Sequence, residues 1–238
     1  MRSAFPDRAT APAPVVRRDR RALRTRAALR DALAAEIAAT GDLSQVTVTA
    51  VTDCAGVTRR TFYSHFRDIT DLVNQIEAET IADMRGLVAN VAATHLSDLQ
   101  DALDDFAPCP GAEELLRYFK DRGRYLAALL GDGGDPAFAN RLQRVAREAV
   151  AARAADGLDV DLLGPVFDYY LTFAISAEVG VLVRWLTGGM NESVAMMARV
   201  MTTLMFVRPG DLYGRTMDVK IPSIPRHLQT HPKETSND

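Results

Sequence analysis

Apolar side chains recur at three- and four-residue intervals along most of this chain, and no useful run alternates every second residue, so the pattern predicts an all-α fold. Ala28, Leu29, Ala32, Leu33 and Ile37 mark one face of a helix expected over Arg20 to Thr40 and closed by Gly41. Two short helices follow near 47–54 and 58–65, with Val48, Val51, Val57, Phe62 and Phe66 as the apolar face that holds them to a third. Asp68 is placed to cap a long helix reaching about Asn90, in which Leu72, Val73, Ile76, Ile81, Met84, Leu87 and Val88 fall near helical spacing.

The same periodicity continues through the rest of the chain. Leu96 to Gly111, with Pro108 and Pro110, reads as a short helix plus loop, and Glu113 to Leu130 as one helix ending at the glycines from Gly131 to Gly134. Asp135-Pro136 opens another helix carrying Phe138, Leu142, Val145 and Ala149, since proline is tolerated in a first turn. A strongly apolar helix spans Pro165 to Leu186, stops at Gly188-Gly189, and precedes a last one from Glu192 to about Val207. Residues 1–19, with Pro6, Pro12 and Pro14, read as a flexible leader, and 208–238, with four prolines, as an extended or disordered tail. Between them lie an N-terminal three-helix domain over 20–67 and a helical regulatory and dimerisation domain over 68–207.

Residues 47 to 66 break at Ala55-Gly56-Val57, which makes a helix-turn-helix. Gly56 suits that turn because two steeply crossing helices need a positive φ between them. Thr58 is placed to cap the second helix. The side chains left outward are Thr58, Arg59, Arg60, Thr61, Tyr63, Ser64 and His65, a set of guanidinium, hydroxyl and imidazole groups with no carboxylate. Such a surface suits phosphates and base edges. Arg59 and Arg60 open the helix, where side chains first enter the major groove, and an arginine fork matches O6 and N7 of guanine, so at least one of them is expected to read a base.

The helix with Ala27, Ala28, Leu29, Ala32, Leu33 and Ile37 ending at Gly41, then Thr47-Val48, Ala55-Gly56-Val57-Thr58 and above all Thr61-Phe62-Tyr63-Ser64-His65-Phe66 with Asp68, resembles the DNA-binding domain of the TetR family of bacterial transcriptional regulators. The resemblance runs from about Arg24 to Val73. It implies contacts to the DNA backbone from Thr49, Tyr63 and His65. One departure stands out: the family usually places lysine after the Phe-x-Asp run, whereas this chain has Ile69. Arg67, or the arginines Arg17, Arg18, Arg20, Arg21, Arg24 and Arg26, are expected to supply phosphate contact in its place. Leu115-Leu116-Arg117-Tyr118-Phe119 through Phe138, and Arg184-Trp185-Leu186-Thr187-Gly188-Gly189-Met190, more loosely resemble the regulatory domain of a TetR subgroup in which relatives of dihydroxyacetone-kinase activators occur.

Charge segregation agrees with a nucleic-acid contact at one end. The overall charge is −3, yet residues 1–67 hold 12 arginines and no lysine against 6 acidic residues, leaving 16 basic against 25 acidic residues beyond. Preference for arginine over lysine explains the residue type and leaves the segregation unexplained. Cys54 and Cys109 match no disulfide or metal spacing, which fits a reducing cytoplasm. No N-terminal apolar segment follows the basic residues. The longest hydrophobic stretch, near Phe167 to Leu186, includes Asp168, Glu178 and Arg184 and reads as a buried helix rather than a membrane span.

Met84, Tyr118, Phe119, Tyr125, Phe138, Phe167, Tyr169, Tyr170 and Phe173 are candidates to line an effector cavity between helices, with plain core packing as the alternative for each. The last two helices carry apolar residues on more than one face, among them Leu171, Phe173, Val179, Leu182, Trp185, Met196, Met197, Met201, Leu204 and Met205, which predicts a homodimer through them. His227 and His231 form an H-x-x-x-H spacing without further ligands, so no metal and no cofactor is expected. No catalytic constellation stands out. The sequence therefore reads as a cytoplasmic, homodimeric regulator of double-stranded operator DNA, a repressor released when a small molecule moves the helix near 68–90. The alternatives are an activator or co-regulator working with a protein partner, and a helical small-molecule binding protein that leaves DNA alone.

Overall fold

A computed structural model describes residues 14–157 and 160–205 of the chain. These residues form ten α-helices and one 3₁₀ turn, with no strand among them. Helix α1 runs Pro14–Thr40, starting before the expected Arg20, so residues 14–19 of the supposed leader are helical. Pro14 can open it because the first amides of a helix have no carbonyl partner to lose. The leader up to residue 13 and the tail, with its His227 and His231, lie outside the described residues.

Helices α2 (Val48–Cys54) and α3 (Arg59–Tyr63) cross beneath α1, and Leu29, Leu33, Val51, Phe62 and Phe66 close the space between them with at most 2% of their surface exposed. Burying each such side chain is worth roughly 1.5–3 kcal/mol, which fixes the crossing of the two short helices despite their length. Helix α4 (Ile69–Ala92) is started by Asp68, whose carboxylate accepts the Asp71 amide at 2.7 Å. It leaves this small domain and becomes part of the body.

The body consists of α5 (Leu96–Asp104), α6 (Ala112–Asp121), α7 (Gly123–Leu130), α8 (Pro136–Gly157), α9 (Val160–Thr187) and α10 (Val194–Leu204). The single helix expected over 113–130 is broken at Arg122, whose backbone leaves the helical region at φ −109° and ψ 6°. Gly123 is buried against the Met190 side chain so closely that a Cβ would stand 2.4 Å from its terminal carbon. Helix α4 packs on α8, α8 on α9, α6 on α10, and α7 on both α1 and α9. One buried cluster consequently runs from Leu29 and Phe62 through Ile76 and Phe119 to Trp185 and Met197.

Helix α9 corrects the expectation of a buried apolar helix. It starts at Val160, so Pro165 lies within it, and only its inner face is covered, by way of Leu171, Val179, Leu182, Trp185 and Leu186. Tyr169 and Phe173 on the outer face are 76% and 72% exposed. By length and composition Val166–Thr187 is the one helix among the described residues that could cross a membrane, and it carries Asp168, Glu178 and Arg184.

Candidate nucleic-acid interface and effector cavity

The turn between α2 and α3 follows the sequence expectation in detail. Gly56 has φ +63°. The Thr47 hydroxyl accepts the Ala50 amide at 3.2 Å, and the Thr58 hydroxyl accepts the Thr61 amide at 3.1 Å, so each helix is capped by threonine. Thr58 and Thr61 also hydrogen-bond to one another at 2.9 Å. Both hydroxyls therefore hold the helix start. Ser64 likewise donates to the Thr61 carbonyl at 2.6 Å.

The outward face brings the predicted residues together. Arg59 reaches back across the turn and donates to the Thr49 hydroxyl at 2.5 Å, which places a guanidinium between the starts of α2 and α3. Arg60 lies exposed at the start of α3. Among the described residues no carboxylate pairs with Arg20, Arg21, Arg24, Arg59 or Arg60, so that positive charge stands open to a polyanion. Tyr63 is 58% exposed and rests edge-on against the Phe62 ring, its centroid 5.6 Å away, which leaves the hydroxyl outward. His65 is half-buried beside Phe66.

Two arginines differ from the expectation. Arg26 stacks over Phe66 and donates to Gln75 and Glu79 at 2.9 and 2.8 Å, joining α1 to α4. It is a structural cation, held there because Glu79 of α4 faces it. Arg67 is exposed but shares Asp71, with its amide 2.8 Å and its guanidinium 3.4 Å from the carboxylate. Ile69 is half-buried and packs on the core, so its apolar side chain serves the junction of α3 and α4. The side chains of Arg17 and Arg18 lie outside the described residues.

A second feature lies at the far end of α4. A cavity of about 630 Å³ is lined by Val88, Val91 and Ala92 of α4, by α5 and α6, by the end of α8, and by one face each of α9 and α10. Its wall is mostly apolar, and the volume suits a drug-sized molecule. Of the predicted ligand residues, Phe167 and Tyr170 line it. Met84, Phe119 and Phe138 do not, since they are fully packed in the helix core, and Phe173 turns to the outside. Tyr118 lies 3.9 Å beneath the Arg122 guanidinium at the end of its own helix, and Tyr125 lies beneath Arg30, joining α7 to α1. Met201 and Met205, expected at a dimer contact, face the cavity. Sequence reasoning missed His95, Cys109, Arg153, Glu178 and Thr202 on its wall. Glu178 was legible as a carboxylate inside an apolar helix.

Two family models match the chain: bacterial regulatory proteins of the tetR family over residues 32–76, and a transcriptional regulator C-terminal region over residues 108–206. Among solved structures, a TetR transcriptional regulator from Streptococcus agalactiae 2603V is 22% identical, with 80% of this chain and 98% of that one covered and a TM-score of 0.47. A TetR family transcription regulator from Marinobacter aquaeolei VT8 is 18% identical, with coverages of 79% and 97% and a TM-score of 0.46. No curated protein matches the chain.

Proposed function

The chain belongs to the TetR family of bacterial transcriptional regulators, non-enzymatic DNA-binding proteins, and from that premise we propose that it is a homodimeric repressor released from its operator by a small molecule. The observation that carries this reading is the reach of α4. Its first turn follows the reading helix α3 directly, and its last turn, at Val88, Val91 and Ala92, forms part of the cavity wall. A ligand that fits only one position of that wall favours one position of α4, and with it one separation of the two reading heads. Heads held about 34 Å apart, or a multiple of it, match successive major grooves; heads moved from that spacing do not.

In this reading Arg60 supplies base readout, while Arg59, Thr49, Tyr63, His65 and the exposed Arg20, Arg21 and Arg24 hold the phosphates. The exposed face of α9 and the end of α10 join two copies, and the protein works in the cytoplasm beside the chromosome. Selection from a random duplex library by the full-length protein tests the reading. Enrichment of a two-fold symmetric site, bound with an affinity that falls steeply with salt, supports it, because phosphate contacts release counterions. Failure to enrich any site, together with salt-insensitive binding, sinks it.

A further inference from the structure

We propose that the cavity takes an organic cation, an amine or quaternary ammonium on an apolar body, with its charge set against Glu178 and its body along Phe167 and Tyr170. This rests on the reading of the cavity as the effector site. The three residues share one face of α9: at ~100° per residue, positions 167, 170 and 178 fall within an arc of about 80°. Tyr170 and Phe167 lie two and three turns before Glu178, about 12 and 16 Å along the helix, so a ligand with its cationic head at the carboxylate lays its apolar body along the two rings.

Among the described residues Glu178 has neither an ion-pair nor a hydrogen-bond partner. Burial alone pushes its carboxyl up to about 7, so near neutral pH it is divided between the neutral acid and the carboxylate. A ligand cation stabilises the carboxylate and expels the proton. The other titratable or charged groups facing the cavity are His95, Cys109, Arg153 and Tyr170. Arg153 is the one group there that favours an anion at all pH values. It is half-buried on a long stem, which allows its charged head to leave the apolar wall for water.

Three probes of equal length, octyltrimethylammonium, octanoate and 1-octanol, separate the charge preference from simple apolar filling when titrated calorimetrically into the full-length protein. The expected result is binding of the cation about tenfold or more tighter than of octanol, and of octanoate no tighter than octanol. Glu178→Gln should bring the cation to the level of octanol and leave octanol unchanged, and Arg153→Gln should keep the preference for the cation. Preference for octanoate, or a cation preference that survives Glu178→Gln, overturns the inference while leaving the cavity an effector site. Absence of binding by all three probes overturns both.

Discussion

The Leu43 amide donates a hydrogen bond to the Gly133 carbonyl oxygen at 2.7 Å, and so joins the turn after α1 to the loop between α7 and α8. The approach is close: a Cβ on Gly133 would stand 2.6 Å from the Gly41 carbonyl oxygen. Just beyond, Arg141 of α8 pairs with Glu77 of α4 and, at 2.7 Å, with Asp135 at the start of its own helix. Burial pushes the Glu77 carboxyl up against the pull of Arg141, whereas hydrogen bonds from Arg141 and the Ala137 amide outweigh burial at Asp135 and hold its carboxyl low. The reading domain therefore meets the body at a backbone contact as well as through α4, and the ion cluster ties α4 to α8.

Gly133→Ala should loosen this junction. The obstructing atom is backbone oxygen, which cannot rotate aside, so the loops must part at a cost of about 1–3 kcal/mol. Hydrogen exchange at the Leu43 amide should speed up and the melting temperature should fall. Unchanged protection at Leu43 would mean that the two loops do not hold one another in solution.

Arg60→Ala and Arg59→Ala should differ in kind. Arg60 opens α3 without a side-chain partner, and its loss should cost about 1–3 kcal/mol of binding and flatten preference at one base position. Arg59, bonded to Thr49, should weaken all sequences alike if it serves the backbone. Binding-site selection with both variants decides this, and intact affinity and preference in both would remove them from the interface.

Tyr63→Phe should weaken DNA binding and leave thermal stability nearly unchanged, because the ring keeps its edge contact with Phe62 and only an outward hydroxyl is lost. A large fall in melting temperature with full DNA affinity would make that hydroxyl structural.

The reading domain was legible because its signals are local. Caps at Thr58 and Asp68 and the turn at Gly56 act within four residues, and Val51, Phe62 and Phe66 fall on one stripe. The break at Arg122 and the close seat of Gly123 against Met190 were not legible, since a contact between residues so far apart along the chain leaves no local signal. The cavity was half legible for the same reason. Helical spacing picks out apolar faces, but whether Phe138 meets core and Phe167 meets space is decided by which helices pack around them.

Glu178 should leave a trace in the pH dependence of stability even without ligand. Its folded pKa of about 7 lies above the usual 4.5, so between those values the folded chain holds a proton that the unfolded chain has released. Stability should therefore fall as pH rises from about 4.5 to about 7, and Glu178→Gln should remove that part of the slope. Glu77 contributes in the same direction and window, and subtracting the variant's curve from the wild type's isolates Glu178. Parallel curves would place Glu178 in contact with solvent.

Phe173 offers the most direct test of the dimer. An aromatic ring 72% exposed on an apolar helix, with Tyr169 one turn before it at 76%, is more surface than a single chain needs to leave open. Met196 and Leu204 extend the exposed apolar surface onto α10. Because Phe173 touches little within its own chain, Phe173→Glu should change the stability of the isolated subunit by no more than about 0.5 kcal/mol. In a two-fold interface the same change buries two unpaired carboxylates and should raise the dimer dissociation constant by about tenfold or more. Sedimentation across a concentration series measures this. A variant that stays as dimeric as the wild type would move the interface off the outer face of α9, and a wild type that is monomeric at micromolar concentration would leave this chain without the paired heads that a symmetric operator requires.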